Sequence, residues 1–308
     1  MSTPSTSETT LRAATLDDAP AVAEVINRAS QARRGQDEVD IREIEGWWTQ
    51  PSPFDLDADV VVALRDGAVV GYGDVGDQAN DGRFLWLDVR GEALAEIHAE
   101  LEARAIARLS ADGVVRAVAD ERDETLGSLL ERREYEVIRA SYRMGIELVG
   151  RSFEQAWPEG VTVRTCVEGV DEPLLYELQE SSFRDHWGHT PTPYDEWLHW
   201  LRNMGVADPS LWFVAEVEGT PAGVTICRPS NHGDPDQGWV SVLGVLREHR
   251  RVGLGTALLT HAFAEFQRRG RRRAGLGVDA ESTTGAVALY ERAGMRVLWR
   301  WNVWERRV

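Results

Sequence analysis

Hydrophobic and polar positions along this chain follow the same order twice. A short strand opens each half, at residues 10–13 and 162–165, and each strand leads into a segment with apolar residues at helical spacing. The apolar helical positions are Val22, Val25, Ile26 and Ala29 in the first half and Leu174, Leu175, Leu178 and Phe183 in the second half. The repetition predicts two copies of one structural unit.

A β-hairpin follows the predicted helix in both halves. Asp66-Gly67 separates two β-rich runs in the first half, and Glu218-Gly219 does so in the second half, which is a common composition of hairpin turns. Gly71 and Gly223 stand after these turns at an offset of 152 residues. The equal spacing supports the repeat.

The ends of the two halves also correspond, because residues 129–137 parallel residues 289–297. Helices and several strands alternate in each copy, which indicates the α/β class, with a mixed sheet that carries helices on both faces. With a length of 308 residues, the repeat predicts two domains, 1–150 and 151–308.

The charge is negative and unevenly distributed. Residues 1–150 contain 16 arginines and 30 acidic residues, the remainder contains 18 and 21, and the chain has no lysine. This balance argues against nucleic acid as a partner, but it permits a cationic substrate. The polar N-terminus and the lack of a long apolar run predict a cytoplasmic protein that does not enter a membrane. Cys166 and Cys227 fit no metal or disulfide pattern, so we expect buried thiols and no metal site.

A glycine-containing turn in the second half carries the candidate chemistry. Residues 239–245 are typical of a buried strand, and Gly253 and Gly255 open the helical pattern that follows the turn. A helix N-terminus presents unpaired N–H groups and a positive dipole end, and Arg250 and Arg251 add charge beside it. The pattern predicts a phosphate site, but it matches neither a dinucleotide fingerprint nor a P-loop.

Arg250-x-x-Gly253-x-Gly255, after a strand and at the start of a helix, resembles the signature of the GNAT N-acetyltransferase superfamily. Residues 276–282 and 285–295 resemble the rest of that signature, and the tandem arrangement resembles the mycothiol synthase family of bacterial acetyltransferases. The resemblance implies two tandem acyl-CoA N-acyltransferase (GNAT) domains, each a mixed, mostly antiparallel sheet flanked by helices. It also implies acetyl-CoA as the acyl donor substrate.

The resemblance implies a role for each matching residue. Leu243 and Val245 offer backbone groups to the pantetheine arm, and Ser282 stands where the family often has an asparagine that contacts the cofactor. Tyr290 occupies the position of the tyrosine that protonates the departing CoA thiolate, and a phenol is protonated at neutral pH. The residues implied to hold the pyrophosphate are Arg250, Arg251, Val252, Gly253, Leu254, Gly255 and Thr256.

The identity of the general base cannot be decided from the sequence. Many relatives supply a carboxylate from the strand before the phosphate turn, but here that strand offers Trp239 and Ser241. The remaining candidates are Asp185, His186, His189, Glu281 and a chain of water molecules.

The first copy lacks the signature. Residues 94–99 stand at the position of the glycine turn without a glycine or an arginine, and Leu130 replaces the tyrosine. We therefore expect residues 1–150 to be a degenerate, noncatalytic copy.

Residues 183–204 are expected over the acceptor cleft, where Trp187 is the candidate ligand contact. Trp197, Trp200 and Leu201 have helical spacing and are expected in the core. The predicted function is N-acetylation of a small-molecule amine by direct attack in a ternary complex. An acyl-CoA sensor and a protein N-terminal acetyltransferase are the alternatives. The alternating apolar face of the last strand, with Trp299 and Trp301, is either structural or the contact of a homodimer.

Overall fold

The computed structural model describes residues 8–51, 54–77, 81–154, 156–203, 206–232 and 234–308. The chain divides into two compact units. Unit 1 comprises Met1–Arg139 and Asn302–Val308, and unit 2 comprises Ala140–Trp301.

Unit 1 is built from helices and strands that follow one another along the chain from residue 10 onward. Its elements are β1 (Thr10–Ala13), α1 (Ala19–Arg34), α2 (Ile41–Trp48), α3 (Leu56–Asp59), β2 (Val60–Arg65), β3 (Ala68–Asp77), β4 (Phe84–Gly91), α4 (Leu94–Arg108), β5 (Val114–Asp120) and α5 (Glu124–Arg132). The first residues of β6 (Glu136–Glu147) also belong to unit 1.

Unit 2 repeats much of this order after β6. Its elements are β7 (Val161–Thr165), α6 (Glu172–Phe183), α7 (Tyr194–Asn203), β8 (Trp212–Val217), β9 (Thr220–Arg228), β10 (Gln237–Val245), α8 (Leu254–Arg268), β11 (Arg273–Asp279), α9 (Ala286–Arg292) and β12 (Arg296–Arg307). Because unit 2 ends at Trp301, the last residues of β12 belong to unit 1.

The strand order is β1-β2-β3-β4-β5 in unit 1 and β6-β11-β10-β9-β8-β7 in unit 2. The β4–β5 and β10–β11 pairs are parallel. The neighbouring pairs β1–β2, β2–β3, β3–β4, β6–β11, β7–β8, β8–β9 and β9–β10 are antiparallel. The predicted α/β class, with mixed and mostly antiparallel sheets, is therefore confirmed.

Helices cover both faces of the sheet in each unit, as predicted. In unit 1, α4 and α5 pack on one face around Ile97 and Leu130, and α1 and α2 pack on the other around Ile44. In unit 2, α8 packs on one face through Phe263, and α6 and α7 pack on the other around Trp197. Burial of these apolar side chains on the two faces is the main driving force for each unit.

The two hairpins reproduce one another in detail. Asp66 and Gly67 have φ angles of 53° and 80°, and Glu218 and Gly219 have φ angles of 50° and 75°. Positive φ at both central residues is the conformation of a type I′ hairpin turn. Each hairpin also shifts register just before its turn, between residues 63 and 64 and between residues 215 and 216. The repeat predicted from the sequence extends to these irregularities.

Several side chains occupy the core positions that their spacing predicted. Trp197 and Leu201 are buried, and Trp200 packs against the same core. Cys166 and Cys227 are free and buried, and burial raises the pKa of both thiols. Trp299 and Trp301 are buried as well.

Within the described ranges, every helix is too short or too polar to cross a lipid bilayer.

Candidate active site

The parallel strands β10 and β11 part in the middle of unit 2. Their register runs from Gln237↔Arg273 to Val240↔Leu276, and both strands then continue, to Val245 and Asp279. A cavity of about 550 Å³ opens at this point. Its walls come from both parted strands, from the N-termini of α8 and α9, and from the end of α6.

A β-bulge lies where the strands part. The register between β9 and β10 shifts between Val240 and Val242, so Ser241 is the extra residue of β10. A bulge bends its strand and increases the local twist, which turns β10 away from β11. In unit 1 the equivalent pair, β3 and β4, keeps one register along its whole length. The bulge is thus a feature that the two copies do not share.

The glycine turn forms the N-terminus of α8, as predicted. Gly253 has a φ of 90° and caps the helix, a conformation that residues with a Cβ adopt at a cost. The first helical hydrogen bond runs from the Ala257 N–H to the Gly253 carbonyl at 3.0 Å. The N–H groups of Leu254, Gly255 and Thr256 therefore precede the helical ladder, and all three residues line the cavity.

Arg250 and Arg251 differ in their surroundings. The Arg250 guanidinium donates from Nε to the Val245 carbonyl at 3.0 Å and from Nη2 to the Ser182 carbonyl at 2.8 Å. It therefore holds the end of β10 against the end of α6. Arg251 has a φ of 69°, is exposed and lines the cavity. The Val252 side chain is also exposed, but Val252 is not among the residues that line the cavity. Arg251 is thus the residue of the pair whose side chain is open to an anion.

Tyr290 reaches the cavity from α9. Its side chain is only 8% exposed, and burial raises the pKa of its phenol to about 12. Leu243, Val245 and Ser282 line the same cavity, and the hydroxyls of Ser282 and Thr284 lie 2.8 Å apart. The structure thus brings the predicted acid, the glycine turn and the predicted backbone contacts to one place.

The candidate bases are separated by the structure. His186 lines the cavity, its ring lies 4.5 Å from that of Phe183, and burial and the nearby Arg250 lower the pKa of its imidazole. His189 instead lies 3.3 Å from the Glu180 carboxylate.

The carboxylate candidates lie away from the cavity wall formed by the described residues. Asp185 is exposed and lies 3.7 Å from Arg247, and Glu281 is exposed. A carboxylate that the sequence did not single out, Asp279, does line the cavity at the end of β11. Its signal in the sequence was its place within residues 276–282, which resemble a part of the family signature.

Ion pairs connect the parted ends of β4 and β5 in unit 1. Asp120, on β5, lies 2.8 Å from Arg34, which lies 2.8 Å from Glu38. Glu38 lies 3.4 Å from Arg90, on β4, and Arg90 pairs with Asp88 at 2.6 Å. The Arg34 and Asp120 side chains are 2% and 0% exposed. In unit 1, charged side chains therefore occupy the place that corresponds to the cavity of unit 2.

Residues 173–295 match the sequence profile described as the acetyltransferase (GNAT) family. This chain carries a GNAT acetyltransferase domain. The matched residues include the glycine turn and Tyr290, and the predicted enzyme class, an N-acetyltransferase, is confirmed.

Curated relatives of this chain include mycothiol acetyltransferases. A mycothiol acetyltransferase from Geodermatophilus obscurus is 29% identical over 77% of this chain and 78% of its own length. A mycothiol acetyltransferase from Thermobispora bispora is 34% identical over 54% of this chain and 55% of its own length. The second alignment thus spans about half of that relative.

Solved structures share the tandem fold. A GCN5-related N-acetyltransferase from Sphaerobacter thermophilus is 28% identical, with a TM-score of 0.74 over 97% of this chain and 95% of that chain. A tandem GNAT protein from the clavulanic acid biosynthesis pathway is 16% identical, with a TM-score of 0.71 over 97% of this chain and 98% of that chain. The second likeness shows the fold alone. Together they confirm the predicted tandem GNAT architecture.

Proposed function

We propose that this chain is an acetyl-CoA-dependent N-acetyltransferase that acetylates a small-molecule amine by direct attack in a ternary complex. The observation that carries the proposal is the cavity between β10 and β11, which brings an open helix N-terminus and the Tyr290 phenol together. Unit 2 is the catalytic unit in this proposal.

The helix N-terminus fits a pyrophosphate. The N–H groups of Leu254, Gly255 and Thr256 precede the helical ladder, and the positive end of the helix dipole lies at the same point. Gly255 leaves room for the Leu289 side chain of α9, because a Cβ at residue 255 would lie 3.2 Å from the Leu289 Cδ1 atom. The exposed Arg251 side chain adds a positive charge at the mouth. These features would hold the phosphates of acetyl-CoA.

The parted strands fit the pantetheine arm of the donor. Beyond Val240 the polar backbone of β10 faces the cavity instead of β11, and Leu243 and Val245 line it. An extended amide chain bound there would find the hydrogen-bonding groups that an adjacent strand otherwise supplies. When bound, acetyl-CoA supplies an activated acetyl thioester.

Tyr290 is the proposed general acid. Since burial raises the pKa of its phenol to about 12, the hydroxyl keeps its proton across the physiological range. It would donate that proton to the sulfur as thiolate charge develops there.

His186 is the proposed proton acceptor for the amine. It lines the cavity, and burial lowers the pKa of its imidazole, so the ring is neutral and able to accept a proton at neutral pH. Among Asp185, His189, Glu281 and His186, the last is the residue whose side chain the cavity reaches.

Unit 1 is the proposed noncatalytic copy. The ion pairs that connect β5 to β4 through Arg34 and Glu38 fill the place where an acyl-CoA would insert. Binding there would require these buried charges to separate, which is costly.

A CoA-release assay across a panel of amines tests the function. The panel includes the deacetylated form of mycothiol, because the relatives are named for mycothiol acetylation, and short peptides with free N-termini. We expect release with a small amine and one acetyl-CoA bound per chain by calorimetry. Tight binding without release would favour a sensor, and turnover of the peptides alone would favour a protein acetyltransferase.

Two histidine variants test the proton acceptor. His186→Gln should lower kcat/KM for the amine and remove the acidic limb of its pH profile. His189→Gln is the matched control, since His189 lies in the same loop but pairs with Glu180. Equal losses in both variants would contradict the assignment.

A further inference from the structure

Ser241 stands at the point where β10 and β11 separate. It directly follows Val240, the last residue of β10 that is in register with β11, and it is the bulged residue opposite β9. Ser241 is one of the residues that line the cavity. Its hydroxyl oxygen is excluded from solvent and has no hydrogen-bond partner among the described residues.

A buried hydroxyl without a partner is unfavourable, because it has given up its hydrogen bonds to water. Alanine at this position would avoid that cost. A bound ligand can supply the missing hydrogen bond, which gives the hydroxyl a function at this position. The ligand must present a hydrogen-bonding atom where the strands separate, in the cavity that Tyr290 also lines.

We propose that the Ser241 hydroxyl donates a hydrogen bond to the carbonyl oxygen of the donor's acyl group. This inference rests on the proposed function. Within an acetyl thioester the carbonyl oxygen is the strong hydrogen-bond acceptor, and a serine hydroxyl supplies one donor. Negative charge grows on that oxygen when the amine attacks, so a hydrogen-bond donor held at this position stabilises the transition state more than the ground state. Ser241 keeps its proton throughout and takes part in no bond exchange.

The chain offers a matched control in Ser182. Its hydroxyl is also buried, lacks a partner among the described residues and belongs to the same cavity wall. Ser182 lies at the end of α6, however, next to the backbone of Gly244, where a Cβ would come within 2.9 Å of the serine Oγ. Ser241→Ala and Ser182→Ala therefore both remove a hydroxyl from a residue that lines the cavity. Only Ser241→Ala removes it from the point where β10 and β11 separate.

The test uses the full chain with acetyl-CoA labelled with ¹³C at the carbonyl carbon. Infrared difference spectra give the carbonyl stretch of the bound donor, calorimetry gives its Kd, and steady-state assays give kcat. We expect Ser241→Ala to raise the stretch toward that of free acetyl-CoA and to lower kcat by about 100-fold, with Kd changed less than about threefold. Ser182→Ala should leave the stretch at its wild-type value.

An unchanged carbonyl stretch in Ser241→Ala, with the donor bound, would overturn the inference while leaving the proposed function intact. If the wild-type chain binds no acetyl-CoA, both are overturned. Thermal melting verifies that each variant is folded. If Ser241→Ala does not fold, Ser241→Cys takes its place, because it replaces the hydroxyl with a weak donor of similar shape. We expect Ser241→Cys to raise the carbonyl stretch as well. An unchanged stretch in Ser241→Cys would also overturn the inference.

Discussion

Arg34 of unit 1 donates from Nε to the Asp120 carboxylate at 2.8 Å, and the equivalent positions in unit 2 are His186 and Asp279. Arg34 and His186 are related by the 152-residue offset of the hairpins, and Asp120 and Asp279 each stand three residues beyond the last parallel pair of their strand. One copy thus closes the gap between its parted strands with a buried ion pair, and the other lines a cavity with the same two positions.

This difference predicts the consequence of removing the pair. Arg34→Ala leaves the Asp120 carboxylate buried without its partner and should destabilise the chain by about 3–5 kcal/mol in denaturant unfolding followed by circular dichroism. The control is Arg28→Ala on the same helix, whose pair with Glu24 is 62% and 72% exposed and whose loss should cost less than about 0.5 kcal/mol. Similar denaturant midpoints for both variants would show that the buried pair does not stabilise the chain more than the exposed pair does.

The conformation of Gly253 predicts a specific loss of donor binding. Gly253→Ala places a Cβ at a φ of 90° without a steric clash, since the nearest atom would be 3.8 Å away. The strain of about 1–2 kcal/mol should shift the phosphate turn and weaken acetyl-CoA binding at least about tenfold by calorimetry. Gly270→Ala, with a φ of 78° just beyond the other end of α8, imposes similar strain away from the cavity. Equal weakening in both would refute the phosphate assignment.

The burial of Tyr290 predicts both a rate effect and a pH effect. Tyr290→Phe should lower kcat about 100-fold with little change in acetyl-CoA affinity, because it removes a proton donor that acts in the transition state. Tyr142→Phe, in a residue that packs against the same core, should leave kcat unchanged. With the pKa of the phenol at about 12, kcat of the wild type should not fall near pH 10 through this residue. A Tyr290-dependent alkaline limb at pH 10 would contradict the burial.

His98 predicts an acid-sensitive contribution to stability in unit 1. Its ring is fully buried, neither nitrogen has a partner among the described residues, and burial lowers the pKa to about 4. Between pH 6.5 and pH 4 the unfolded chain binds a proton that the folded chain does not. The stability contributed by His98 is therefore complete above pH 6.5 and falls by about 3 kcal/mol toward pH 4.

The leucine variant checks this contribution. Leu258 is the fifth residue of α8, as His98 is of α4, so His98→Leu introduces the residue that the other copy uses. We expect a stabilisation of about 1–3 kcal/mol at pH 7 and a flatter melting temperature between pH 4 and pH 6.5. An unaltered pH dependence in the variant would assign the acid sensitivity to other groups.

Features that depend on local chemistry can be predicted from the order of the residues alone. The repeat, the hairpin turns at Asp66-Gly67 and Glu218-Gly219, and the helix that follows Gly253 can be predicted from residue types and spacing over short stretches. Turn conformation and helix starts are decided by neighbours in the chain, and apolar periodicity decides which face of an element is buried. The fold class and the acetyltransferase signature belong to this part.

Roles that depend on residues far apart in the chain are seen only in the folded protein. Arg250 contacts backbone carbonyls of β10 and α6, which no local pattern showed. The bulge at Ser241 depends on the register with β9, and Asp279 reaches the cavity because β11 parts from β10. The position of the segment after α6 places His186 in the cavity wall and leaves Asp185 exposed. Register and packing are set by contacts between residues far apart in the chain. Spacing along the sequence therefore indicates the candidate site residues but not the residues that they contact in the folded chain.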